Sequence, residues 1–113
     1  MFGPLFNNGT TENLYDIDVK QSLWINAVQI ITLALTSNQS AAVASNTNRV
    51  VLSTTQDCWI AIGTNPTAAK ATAGSFFLAA GAQSYPISVQ NGVTKIAALY
   101  DSTAGYLSII ESQ

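Results

Sequence analysis

From Trp24 onward, short runs of β-branched and aromatic residues alternate with turn residues at nearly regular intervals, and no long helical segment separates them. Residues 28–35 form the first run, and 41–44 a weaker one, because alanine favours helix. Residues 49–54 and 58–63 read as a pair joined by the short polar link Thr55-Gln56-Asp57. Residues 75–78 follow a loop, and 85–89 show period-two alternation through Tyr85, Ile87 and Val89. Asn91-Gly92 is a tight-turn signal, since both residues tolerate positive φ. Residues 95–100 come next, and 101–105 turn into a last run at 106–111. About eight short strands without helices predict an all-β chain, a small jelly-roll-like β-sandwich. Pro86 has no N–H for a ladder, so its strand belongs at an edge or begins there.

The pattern is compatible with one domain. At 113 residues the chain is long enough to bury a core without metals or disulfides. Residues 14–113 are expected to form the β-sandwich, preceded by an extended arm at 1–13. The arm carries Phe2, Leu5 and Phe6 among small and polar residues, with Pro4 blocking regular pairing. These side chains either fold back on their own domain or dock on another subunit. Tyr15, Ile17 and Val19 alternate with Asp16, Asp18 and Lys20, which reads as a half-exposed strand. Two carboxylates without a calcium loop's further oxygen ligands and glycine turn do not make a metal site. Residues 64–74 form a loop long for a hairpin connection and rich in small residues, a pattern that suits protein contact. The adjacent Phe76, Phe77 and Leu78 require cover on both faces of their strand, from the interior on one side and from a neighbour or a loop on the other.

Composition narrows the function. Apolar residues make up 48% of the chain but charged residues only 9%, against roughly 25% in an ordinary soluble domain. Ser, Thr, Asn and Gln supply about a third. Neutral amides and hydroxyls are cheaper to desolvate than charges, so such a surface is suited to burial against other proteins. The four cations, Lys20, Arg49, Lys70 and Lys95, are scattered and the net charge is −2, which argues against nucleic-acid binding. The longest apolar run is interrupted by Gln29 and Thr32 and is too short to span a bilayer, so no membrane attachment is expected. The N-terminus lacks the charged start and apolar centre of a signal peptide, which predicts synthesis in the cytoplasm without Sec-type export.

Catalysis is not expected either. The chain has no histidine, which removes Ser-His-Asp and Cys-His chemistry and every histidine-based metal site. Its one cysteine, Cys58, lies within Cys58-Trp59-Ile60-Ala61-Ile62 and reads as a small buried hydrophobe. The six acids, Glu12, Asp16, Asp18, Asp57, Asp101 and Glu111, fall mostly at strand ends and turns, where local hydrogen bonding favours Asp. The seven glycines are dispersed at turns and form no phosphate loop. No catalytic residue, cofactor or metal is expected.

Residues Asp57-Cys58-Trp59-Ile60-Ala61-Ile62-Gly63-Thr64-Asn65-Pro66, followed by Gly74-Ser75-Phe76-Phe77-Leu78-Ala79-Ala80-Gly81, resemble small virion proteins of tailed bacteriophages. The similarity continues through Thr94-Lys95-Ile96-Ala97-Ala98-Leu99 and Gly105-Tyr106-Leu107-Ser108-Ile109-Ile110-Glu111. It covers roughly residues 50–113, and its motifs are strand and turn residues rather than chemical groups. The resemblance implies a β-sandwich component of a phage particle, of the capsid decoration or cement type, on the capsid exterior. Its partner would be the major capsid protein, with the chain itself paired or trimeric on the shell. Candidate contacts are Phe2, Leu5, Phe6, Trp24, Asn65, Pro66 and Lys70. Strand addition between neighbouring copies is a further mode, given the low-charge edges. A head-fibre, tail or head-tail adaptor component is the alternative. A carbohydrate-binding sandwich is another, with Trp24, Tyr85, Tyr100 and Tyr106 as its aromatics, most of them expected in the core.

Overall fold

The computed structural model describes residues 25–113. The expected arm at 1–13, the alternating segment at 15–20 and Trp24 lie outside the described residues.

Among the described residues eight strands follow one another: β1 (Ile25–Leu33), β2 (Asn38–Gln39), β3 (Arg49–Thr54), β4 (Cys58–Gly63), β5 (Phe76–Leu78), β6 (Ile87–Ser88), β7 (Lys95–Tyr100) and β8 (Gly105–Ser112). They form two four-stranded sheets with only antiparallel pairings, one in the order β1-β8-β3-β6 and the other β2-β7-β4-β5. This strand order is that of an eight-stranded jelly roll. The expected fold class holds, and β3, β4 and β7 have the bounds read from the sequence.

The expected pairing of residues 49–54 with 58–63 does not occur. β3 pairs with β6 and β8, whereas β4 pairs with β5 and β7. The link between them carries the chain from one sheet to the other. It is fixed by its own polar groups: the Gln56 N–H donates to Thr54 Oγ1 (3.2 Å), and the Asp101 N–H to the Asp57 carbonyl (2.9 Å). The turn at Asn91-Gly92 is present, but it too links strands in different sheets, and of the two residues Gly92 takes the positive φ (75°). The 101–105 turn makes the same crossing from β7 to β8. Residues 41–44 form no strand, while β2 consists of the two polar residues Asn38 and Gln39. Pro86 immediately precedes β6, an edge strand, as a residue without an N–H requires.

The interior is built from alternate residues of both sheets. Ile31 and Leu33 of β1, Val50 and Leu52 of β3, and Leu107 and Ile109 of β8 meet Cys58 and Ile60 of β4, Leu78 of β5, and Ile96 and Ala98 of β7. Cys58 is fully buried, as its flanking sequence implied. Burial pushes its thiol pKa up; a hydrogen bond to Thr54 Oγ1 (3.6 Å) opposes this and the nearby Asp57 carboxylate adds to it.

Candidate functional site

The two sheets turn differently finished faces outward. On the β2-β7-β4-β5 sheet, the outward residues Trp59 and Ala61 of β4 lie beside Ala97 and Leu99 of β7. The 64–75 loop folds over them and inserts Ala68, leaving Ala61, Ala68, Ala97 and Leu99 buried. Small side chains let the loop backbone approach the sheet closely. Hydrogen bonds hold it there: Ala68 N–H to Ser37 Oγ (3.0 Å), Ala69 N–H to Ser75 Oγ (3.1 Å), and Gln39 Nε2 to Asn65 Oδ1 (3.1 Å) and the Pro66 carbonyl (3.0 Å). Lys70 Nζ donates to the Asp101 carbonyl. Asn65, Pro66 and Lys70, named from the sequence as partner contacts, are thus each engaged with the chain's own residues. Trp59 donates from Nε1 to Asp101 Oδ1 (3.0 Å) and meets Phe77 edge to face, with ring centroids 5.2 Å apart. Phe77 and Phe76 stay partly exposed on the edge strand β5, whereas Leu78 turns into the core.

The β1-β8-β3-β6 sheet has no such cover among the described residues. Its register brings Val28, Ile110 and Val51 into one row across β1, β8 and β3, and Ile30, Ser108 and Ser53 into the next. Ile25, Ser112 and Arg49 line up at one end, with Thr32 beside Tyr106 at the other. Ile30 is 66% exposed, Val28 54% and Tyr106 56%. The one charged side chain in these rows is Arg49, which donates to the Gln113 carbonyl through Nε (3.0 Å) and Nη2 (2.5 Å). The face is therefore apolar and hydroxyl-lined along most of its length. Of the four aromatics considered for sugar binding, Tyr85 (91% exposed) and Tyr106 project to solvent, Tyr100 packs against the core and Trp24 lies outside the described residues.

Among the described residues β1 is the edge of this sheet, with nine residues and no charge or proline. Natural edges are commonly guarded by lysine, proline or a bulge. Here one irregularity lies at the start, between Ile25 and Ala27. The Thr32 carbonyl accepts Asn38 Nδ2 (2.7 Å) and the Ala34 carbonyl accepts the Tyr100 N–H (3.2 Å), so these residues direct their carbonyls away from β8. By strand alternation Val28 and Ile30 present their N–H and C=O groups at the same outer edge.

Behind the face, Glu111 of β8 points inward and is 1% exposed. Its Oε1 accepts the Ala44 N–H (2.8 Å) and the Thr47 hydroxyl (2.9 Å), and its Oε2 accepts Gln29 Nε2 (2.9 Å). Gln29 also exchanges hydrogen bonds with the Ala41 backbone. One carboxylate thereby ties β1 to the β2–β3 connection and fixes the edge strand's position. By sequence alone Glu111 groups with the acids at strand ends and turns. The signal available was its place in the inward alternation Leu107, Ile109, Glu111.

No family model, curated protein or solved structure matches this chain.

Proposed function

We propose that this chain is a structural protein of a tailed-phage particle, a capsid decoration protein that binds the outside of the major-capsid shell and stabilises it. The observation that carries the assembly role is the outer face of the β1-β8-β3-β6 sheet, nearly free of charge and bounded, among the described residues, by an edge strand without charge or proline. A monomer in water gains nothing from Ile25, Val28, Ile30 and Tyr106 exposed together, whereas a subunit interface removes that surface at little electrostatic cost. The resemblance of residues 50–113 to small phage virion proteins supports the particle as the setting. Repetition over a symmetric shell lets modest single contacts sum to durable attachment. In this reading the chain works by binding and has no catalytic role.

The deciding experiment is co-sedimentation of the protein with phage heads stripped of accessory proteins. Saturable binding at a stoichiometry set by shell symmetry, with heat resistance of the heads rising in step, is expected. Binding to tails or adaptors instead would favour the alternative virion role. Glycan binding without head binding would favour a host-attachment role through the exposed Tyr85 and Tyr106.

A further inference from the structure

We infer that β1 is the seam of a symmetric homodimer, in which two copies add edge to edge and antiparallel across a two-fold axis at Gln29. The open stretch of the strand sets this register. Towards its C-terminal end the edge is closed by Asn38 Nδ2 on the Thr32 carbonyl and by the Tyr100 N–H on the Ala34 carbonyl. Towards its N-terminal end it is interrupted by the irregularity at Ile25–Ala27, with the Asn26 side chain turned to the Asn46 carbonyl (3.1 Å). Between these limits Val28 and Ile30 turn outward backbone groups that find no partner among the described residues. An axis at Gln29 places Val28 opposite Ile30 of the second copy and Ile30 opposite its Val28. Both are then hydrogen-bonded pairs, so every free N–H and C=O at the two residues finds a partner.

The side chains suit the same register. Each exposed Val28 meets an exposed Ile30 on the outer face, a β-branched pair of the kind that stabilises antiparallel neighbours. Neither β1 carries a charge, so no like charges meet when two copies approach. The product is one continuous eight-stranded sheet, and the two apolar faces merge into a single larger one. This inference stands apart from the capsid reading, because the dimer needs no shell.

The test is made on the full chain in solution. Sedimentation equilibrium at micromolar concentrations should show a reversible monomer–dimer balance. Ile30→Lys, at an exposed position that leaves the core intact, should weaken dimerisation at least tenfold while thermal unfolding of the monomer is little changed. The register is tested by mixing two separately purified variants, Val28→Cys and Ile30→Cys, under mild oxidation. A crosslink formed in the mixture and far less with either variant alone supports the axis at Gln29. Equal crosslinking in all three samples overturns the register. A wild-type chain that stays monomeric, with the Val28 and Ile30 amides protected from hydrogen exchange, overturns the dimer: residues 1–24 of the same chain would then occupy the edge.

Discussion

The two outer faces of this sandwich are built from similar strands and end in opposite conditions. Beneath the 64–75 loop, Ala61, Ala97 and Leu99 are at most 6% exposed. Across the molecule Val28 and Ile30 are more than half exposed. What separates them is the cover. The loop brings small side chains and polar groups that bond to Ser37 and Gln39, so its backbone lies close to the sheet with its Ala68 and Ala69 amides paired. No described segment serves the other face. The comparison shows that an apolar outer strand position is not in itself an interface; it becomes a candidate where the chain offers no loop to close it.

The largest test of this contrast is Ala97→Asp, which places a carboxylate at a fully buried position under the loop. Urea unfolding should show a loss of about 4 kcal/mol, as expected for an uncompensated buried charge. Glu111→Ala should follow, costing about 3 kcal/mol because the buried and part-buried donors of Gln29, Ala44 and Thr47 lose one shared acceptor. Hydrogen exchange in that variant should rise first in β1 and in residues 41–47. Next is a matched pair. Leu99→Ala should cost about 2–3 kcal/mol through the cavity left under the loop. Ile30→Thr, which keeps a β-branched residue on the bare face, should stay within about 0.5 kcal/mol. Comparable losses from the two, measured at a concentration where the chain is monomeric, would mean that Ile30 is covered in the folded monomer.

The smallest effect concerns the core that both sheets share. Burial raises the Cys58 thiol above its ordinary value of 9.0 in the fold, so the folded state holds the proton more tightly than the unfolded chain. The resulting stability is fully present below pH 9 and declines as pH rises from there towards the folded-state value. A urea midpoint that drifts down above pH 9 in the wild type, and drifts less in Cys58→Ala, is the expected signature.

The strands β3, β4 and β7 were legible because short runs of β-branched and apolar residues bounded by turn residues mark a strand whatever it pairs with. The pairing was not legible for the same reason. Leu52 and Ile60 alternate inward identically whether their strands lie side by side or face each other across the core, and here they face each other. β2 escaped notice because Asn38 and Gln39 carry no apolar signal; their side chains serve β1 and the covering loop. The bare face was only half visible. The run at 28–35 announced a strand, but which of Ile30 and Ile31 faces the core depends on its register with β8. Of the contacts chosen from the sequence, Phe2, Leu5, Phe6 and Trp24 lie outside the described residues, while Asn65, Pro66 and Lys70, in the covering loop, are hydrogen-bonded to Gln39 and Asp101 of the same chain.

The crossings between sheets bear on how the chain is made. Only β4 and β5 are both consecutive and paired; the other ladders join segments distant in sequence, and β8 lies between β1 and β3. On the ribosome the first strands must wait for the last to emerge before their common sheet can close. During that interval the inner edge of β1, later sealed by β8, is as open as its outer one. Newly made chains crowded together are then exposed to mispairing. A chain shortened before Gly105 would lack the strand that joins β1 to β3, and its first sheet could not close at all.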